Sequence, residues 1–145
     1  MSLKNQALTF FSPKDIESNG AIFFDTGISA GFPSPADDFK ESRISLDEEL
    51  IRNKEATFFA RVSGQSMIGA GLDDNDLLVI DRSIPPTNNK IAVCFLDGEF
   101  TVKRLRVEGN EVWLKPENPD YPIIKITEEN NFLIWGIVTN VIKRV

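Results

Sequence analysis

The stretch KIAVCFLDGEFTVKRLRV (Lys90–Val107) has the residue pattern of a β-hairpin. Two runs rich in β-branched and aromatic residues flank Asp97-Gly98, and an Asp-Gly pair between alternating strands favours a two-residue hairpin turn. Similar runs continue from residue 55 onward, separated by turn residues such as Asp, Asn, Pro and Gly. These runs are ATFFARVS (56–63), DLLVID (76–81), EVWLKP (111–116), PIIKI (122–126) and FLIWGIVTNVIKRV (132–145). The sequence therefore predicts a compact, mostly β domain.

Residues 1–30 are weakly patterned, and we expect them to belong to a flexible N-terminal arm. They contain no two consecutive segments of helical periodicity, so no helix-turn-helix unit is predicted. AIFFDTG (21–27) is a candidate short strand. ISLDEELIRN (44–53) predicts a short helix, because Ser45 is a suitable N-cap and Glu48 follows three residues later, as in a capping box. We therefore place the arm at residues 1–45 and the folded domain at residues 46–145.

Charge and composition argue against several classes of protein. The 145-residue chain has a net charge of −6, whereas phosphate-driven binding of nucleic acid relies on Lys and Arg. No apolar run reaches the ~18–20 residues of a membrane span, and no signal-peptide pattern opens the chain. The single cysteine cannot form an internal disulfide. We therefore expect a cytoplasmic protein that binds neither membranes nor DNA directly.

The chain contains no histidine. This excludes Ser-His-Asp and Cys-His catalysis, and with one cysteine it removes the usual zinc sites. We expect no metal and no cofactor. A catalytic base would have to be a Lys, Asp, Glu, Tyr or terminal amine.

A serine at a turn and a lysine on a strand are the candidate catalytic pair. Ser66 lies in RVSGQSMIGAGL (61–72), which leaves a strand and enters a Gly-rich turn. There the N–H groups of Gln65 and Ser66 are candidates for an oxyanion hole. Lys103 lies on the second strand of the predicted hairpin and would act as a base once burial lowers its pKa. The alternative is that the turn is only a loop and that Lys103 faces solvent at a sheet edge.

Several linked segments, in order, resemble the LexA/UmuD family of self-cleaving serine–lysine peptidases. They are SGQSM (63–67), DLLVID (76–81) and DGEFTVKRL (97–105). The resemblance runs from about residue 28 to the C-terminus. It implies a curved β-sheet peptidase domain like those of LexA and signal peptidase, with Ser66 as nucleophile and Lys103 as general base.

The resemblance also implies that the chain cuts itself. The family's scissile bond joins a small residue to glycine, which here is Ala30-Gly31 in ISAGFPSPADD (28–38). The prolines at 33 and 35 stiffen this segment and keep it out of a sheet. GFPSPA (31–36) and the short arm are similar to the UmuD-type members, although the enteric type has Cys where this chain has Ala30.

In the family, a filament of RecA on single-stranded DNA stimulates the cleavage, in the SOS response to DNA damage. The resemblance implies that the shortened product, as a homodimer, joins a UmuC-type Y-family polymerase that copies damaged DNA. Two alternatives stay open. The first is a non-enzymatic, β-rich interaction subunit in which Ser66 and Lys103 are only structural. The second is a relative of signal peptidase that cuts other chains.

Overall fold

The computed structural model describes residues 8–13, 21–24, 30 and 41–145 of the protein. Within these residues the chain is mostly β, as predicted, with ten strands, one short α-helix and two 3-10 turns. The strands are β1 (Thr9–Phe11), β2 (Ala21–Phe24), β3 (Glu41–Ile44), β4 (Thr57–Arg61), β5 (Leu77–Asp81), β6 (Ile91–Leu96), β7 (Glu99–Glu108), β8 (Glu111–Lys115), β9 (Ile124–Lys125) and β10 (Phe132–Ile142). The helix is α1 (Leu46–Leu50), and the 3-10 turns are Lys54–Ala56 and Ile68–Ala70.

The described residues separate into two compact units. The larger comprises Met1–Pro13 and Asn53–Val145 and holds an eight-stranded sheet in the order β1-β4-β5-β10-β6-β7-β8-β9. All of its strand pairs are antiparallel. The smaller unit, Lys14–Arg52, holds the β2–β3 pair and α1.

The predicted hairpin is β6–β7, and its turn is Asp97-Gly98. Both turn residues have positive φ, 48° for Asp97 and 89° for Gly98. A type I′ turn requires this conformation, and Gly adopts it without the steric cost that a side chain imposes. The register that follows pairs Lys103 with Ala92, so this local turn sets the position of the candidate base.

Strand β10 joins the two halves of the large sheet. Its first part, through Ile137, pairs with β6, and its second part pairs with β5. The register shifts once in each part, between Ile134 and Gly136 and between Val138 and Asn140. Such bulges bend a strand and increase its twist. The buried apolar side chains form two clusters, one that includes Leu78 and Val102 and one that includes Leu105 and Leu114.

Of two N-terminal elements, α1 was predicted from the sequence and β1 was not. Helix α1 is confirmed, and the Ser45 side chain accepts a hydrogen bond from the Glu48 N–H as an N-cap. Strand β1 was not predicted, yet it pairs with β4 along the sheet edge. There the Phe10 ring packs against Phe100 and Trp135, with centroids 5.0 and 4.7 Å away. The predicted boundary between residues 45 and 46 stays a prediction.

Candidate active site

The loop after β4 carries Ser66, and backbone bonds to the 73–76 turn hold its first part. The Val62 N–H donates to the Asp76 carbonyl, and the Val62 carbonyl accepts from the Asn75 N–H, both at 2.8 Å. The Gly64 N–H donates to the Asp74 carboxylate at 3.0 Å. These contacts fix the loop where it leaves the strand. Ser66 is only 6% exposed.

Lys103 reaches Ser66 from the middle of β7. Its side chain is fully buried, at 0% exposure, and its Nζ lies 3.1 Å from the Ser66 Oγ. The same Nζ is 2.7 Å from the Thr101 Oγ1 and 3.1 Å from the Val102 carbonyl oxygen. The solvent-facing alternative for Lys103 is therefore wrong, and the serine and the lysine meet as expected from the sequence.

Burial lowers the pKa of Lys103 from 10.5 to about 8. The cause is desolvation, which disfavours the charged amine. The neighbouring Cys94 does not compensate the charge near neutral pH, because burial raises the pKa of its thiol to about 12. At pH 7 roughly one Lys103 in ten is therefore neutral, compared with about one in 2,500 for an ordinary lysine.

A short segment after β8, Glu117-Asn118, holds the second part of the serine loop. The Glu117 N–H donates to the Ser66 carbonyl at 2.9 Å, and the Glu117 carbonyl accepts from the Gly69 N–H at 2.7 Å. The Asn118 Nδ2 donates to the Gln65 carbonyl at 2.8 Å. A Cβ on Gly69 would stand 2.5 Å from the Glu117 oxygen, so only glycine permits this approach.

These bonds use the carbonyls of Gln65 and Ser66 and leave their N–H groups available. Among the described residues, neither N–H donates to a protein acceptor. Two adjacent N–H groups beside a serine hydroxyl can stabilise a developing oxyanion. The assignment of Gln65 and Ser66 to an oxyanion hole stays a prediction.

A small pocket that is open to solvent adjoins the serine. Its walls are mostly apolar, and Ser66 forms part of them. The lining residues are Leu8, Val62, Ser63, Gly64, Ser66, Met67, Leu72 and Val102. A pocket of this character can accept a small apolar side chain.

The predicted scissile bond is described only in part. Ala30 is an exposed residue in a bend, whereas Gly31 lies outside the described residues. In the described part of the chain, no group of three or more His, Cys, Asp or Glu residues is placed to hold a metal ion. No helix among those residues is long and apolar enough to cross a membrane.

Sequence reasoning missed the bond from Asn118 to Gln65 and the contact between Thr101 and Lys103. Thr101 carried a usable signal, because it lies two residues before Lys103 and thus on the same face of β7. Asn118 carried none, since it is 53 residues from its partner Gln65 and lies in an ordinary turn sequence.

Comparison with known proteins identifies the family. Residues 22–139 match the sequence model of a protein family described as Peptidase S24-like. MucA of Salmonella typhimurium is 41% identical over 131 residues, covering 86% of this chain and 89% of MucA. ImpA of Shigella flexneri is 44% identical over 115 residues, covering 79% and 78%. The LexA repressor of Acidithiobacillus ferrooxidans is 35% identical over 119 residues, covering 80% of this chain and 58% of the repressor.

A mostly β fold with a lysine amine against a serine hydroxyl fits a peptidase of the serine type. The chain belongs to the peptidase S24-like family, as a UmuD-type member of the LexA/UmuD group. The resemblance inferred from the sequence is thereby confirmed, and the chain falls within a family of SOS mutagenesis proteins. The catalytic roles of Ser66 and Lys103 stay predictions.

Proposed function

We propose that this protein cuts its own chain between Ala30 and Gly31, with Ser66 as nucleophile and Lys103 as general base. The observation that carries the proposal is the 3.1 Å distance between the Lys103 Nζ and the Ser66 Oγ, with both side chains buried. A serine hydroxyl needs a base within hydrogen-bond reach to become a nucleophile. Serine–lysine pairs are an established variant of this arrangement.

The surroundings of Lys103 suit its neutral form. A neutral amine has two N–H donors and one lone pair. The Thr101 hydroxyl and the Val102 carbonyl lie 2.7 and 3.1 Å from the Nζ and can each accept an N–H of the amine. These contacts help to orient Lys103 towards the Ser66 hydroxyl, whose proton the lone pair accepts in this proposal.

In the reaction, the Ser66 Oγ bonds to the carbonyl carbon of Ala30 while Lys103 takes the hydroxyl proton. The N–H groups of Gln65 and Ser66 stabilise the oxyanion. The bond to the Gly31 nitrogen then breaks, and Lys103 returns the proton to the leaving amine. Water, deprotonated by Lys103, hydrolyses the ester and releases residues 1–30 with a new carboxylate, leaving residues 31–145.

The family context suggests the biological setting. In this proposal the protein is cytoplasmic and homodimeric, and a RecA filament on single-stranded DNA stabilises its cleavage-competent state, an equilibrium shift that adds no chemistry. The shortened dimer then serves as the accessory subunit of a UmuC-type, error-prone translesion polymerase. The net charge of −6 favours protein partners over direct contact with DNA.

Self-cleavage without an activator is expected to speed up with pH. Only neutral Lys103 accepts the proton, and its pKa is about 8, so the rate should rise about 50-fold between pH 6 and pH 8 and level off above pH 9. Mass spectrometry of the purified protein over time measures the rate and locates the cut. A flat or falling profile would count against a lysine base, and an intact mass at every pH would favour the non-enzymatic interaction subunit.

Replacing Gly31 with valine is expected to slow processing at least 100-fold without unfolding the protein. Glycine lets the backbone approach a nucleophile closely, and a β-branched side chain next to the scissile carbonyl obstructs that approach. The matched control is Gly20→Val, in the same N-terminal segment but eleven residues from the bond. If Gly31→Val is cut at the same position and rate as the control, the scissile bond is assigned wrongly.

A further inference from the structure

Asn118 is a buried polar side chain with no part in the proton transfer described above. It is 8% exposed and makes two hydrogen bonds. Its Nδ2 donates to the Gln65 carbonyl at 2.8 Å, and its Oδ1 accepts from the Asp120 N–H at 3.0 Å. Asn118 therefore links a turn after β8 to the peptide bond that precedes the nucleophile.

The orientation of the Gln65-Ser66 peptide depends on two donors to the Gln65 carbonyl, the Asn118 Nδ2 at 2.8 Å and the more distant Ile68 N–H at 3.4 Å. In a planar trans peptide the C=O and the following N–H point in opposite directions. Since the Gln65 carbonyl is directed at Asn118, the Ser66 N–H is directed away from it. A flip of this peptide would turn the N–H towards Asn118 and would leave the buried Asn118 amide without its acceptor, which is unfavourable.

The rest of the loop does not depend on Asn118. The next peptide, Ser66-Met67, is held by the backbone N–H of Glu117, and Gly69 is held by the Glu117 carbonyl. Both contacts are independent of side-chain identity. The Gln65 carbonyl is different: among the described residues its shortest hydrogen bond comes from the Asn118 side chain, and its backbone bond from the Ile68 N–H is longer, at 3.4 Å.

We propose that Asn118 is a positioning residue that locks the Gln65-Ser66 peptide with the Ser66 N–H facing the oxyanion. This inference rests on the proposed self-cleavage. Asn118 touches neither the scissile bond nor the reacting atoms, and it acts through the backbone of the nucleophile. It affects stabilisation of the transition state and leaves the protonation of Lys103 unchanged.

The test compares Asn118→Ala with wild type and with Asn130→Ala. Asn130 is a matched control, because its side chain also braces a turn, through the Thr127 N–H and the Asp97 carboxylate, and contacts no residue of the site. Self-cleavage rates from pH 6 to pH 10 and urea unfolding are measured for all three. Loss of one oxyanion donor lowers a rate about 10²–10³-fold, and we expect Asn118→Ala to lower the plateau rate by 10- to 100-fold.

The pH profile separates positioning from a general structural effect. The midpoint near pH 8 should stay in place in Asn118→Ala while the plateau falls, and Asn130→Ala should match wild type in both. If Asn118→Ala is unfolded, Asn118→Leu carries the test, because leucine nearly keeps the size and shape of asparagine but cannot donate to Gln65. An unchanged plateau, or a shifted midpoint in Asn118→Ala, would overturn the inference while the proposed function stands. A wild-type chain that stays intact at every pH overturns both.

Discussion

Replacing Ser66 with alanine is expected to abolish self-cleavage at every pH while the fold persists. Removal of a serine nucleophile lowers hydrolase rates on the order of 10⁶-fold. The change deletes one oxygen at a position that is 6% exposed, and the serine loop keeps its backbone bonds to Glu117. The measurement is the mass of the purified variant after prolonged incubation at pH 10, with RecA, single-stranded DNA and ATP added in a parallel series.

The matched control for Ser66→Ala is Ser83→Ala. The Ser83 hydroxyl donates to the Asp81 carboxylate in the turn after β5, and it contacts no residue of the site. We expect the control to lose residues 1–30 at the wild-type rate. Cleavage that persists in Ser66→Ala would remove the nucleophile assignment, whereas resistance in both variants would point to a general loss of folding.

Replacing Lys103 with methionine is expected to stop self-cleavage and to change how stability depends on pH. Methionine has a similar length and is apolar, so it fills the same buried space without a base. The pKa of Lys103 is lowered from 10.5 to about 8 in the folded chain. Between these two values the unfolded chain binds a proton that the folded chain does not, so the free energy of unfolding rises with pH in this window.

The pKa difference corresponds to about 3 kcal/mol. As the pH rises from 8 to 10.5, the free energy of unfolding measured in urea should therefore increase by up to about 3 kcal/mol more for wild type than for Lys103→Met. Other titrating groups are common to both proteins and cancel in the comparison. Lys90→Met, an exposed lysine at the start of the same hairpin, should behave as wild type. Equal pH dependence in wild type and Lys103→Met would show that the buried amine keeps an ordinary pKa.

The parts of the fold that the sequence predicted are governed by local interactions. Asp97-Gly98 specifies its turn through positive φ at two positions, and Ser45 caps α1 through a bond three residues away. The long strands β7 and β10 carry enough β-branched and aromatic residues to be recognised alone. These elements can therefore be predicted from residues that are close together in the sequence.

The elements that were missed are held by distant partners. Strand β1 has three residues, and its place is set by β4, about fifty residues along the chain. Strand β3, ESRI, is too polar to be recognised without β2. Within the site, the alternation of side chains along β7 predicts that Lys103 and Thr101 lie on the same face of the strand. Only the packing of the folded sheet shows that this face is buried. The bond from Asn118 to Gln65 is likewise a product of tertiary structure.

The pairing of β1 with β4 has a consequence for the product of the reaction. Residues 8–13 belong to the segment that scission after Ala30 would separate, yet Phe10 packs on Phe100 and Trp135 in the larger unit. Scission would leave these contacts in place, but β1 would then belong to a separate peptide that is bound only noncovalently. Its occupancy then follows bulk concentration instead of the high effective concentration of a tethered segment. Dilution, and not hydrolysis alone, would thus determine when the edge of β4 becomes free.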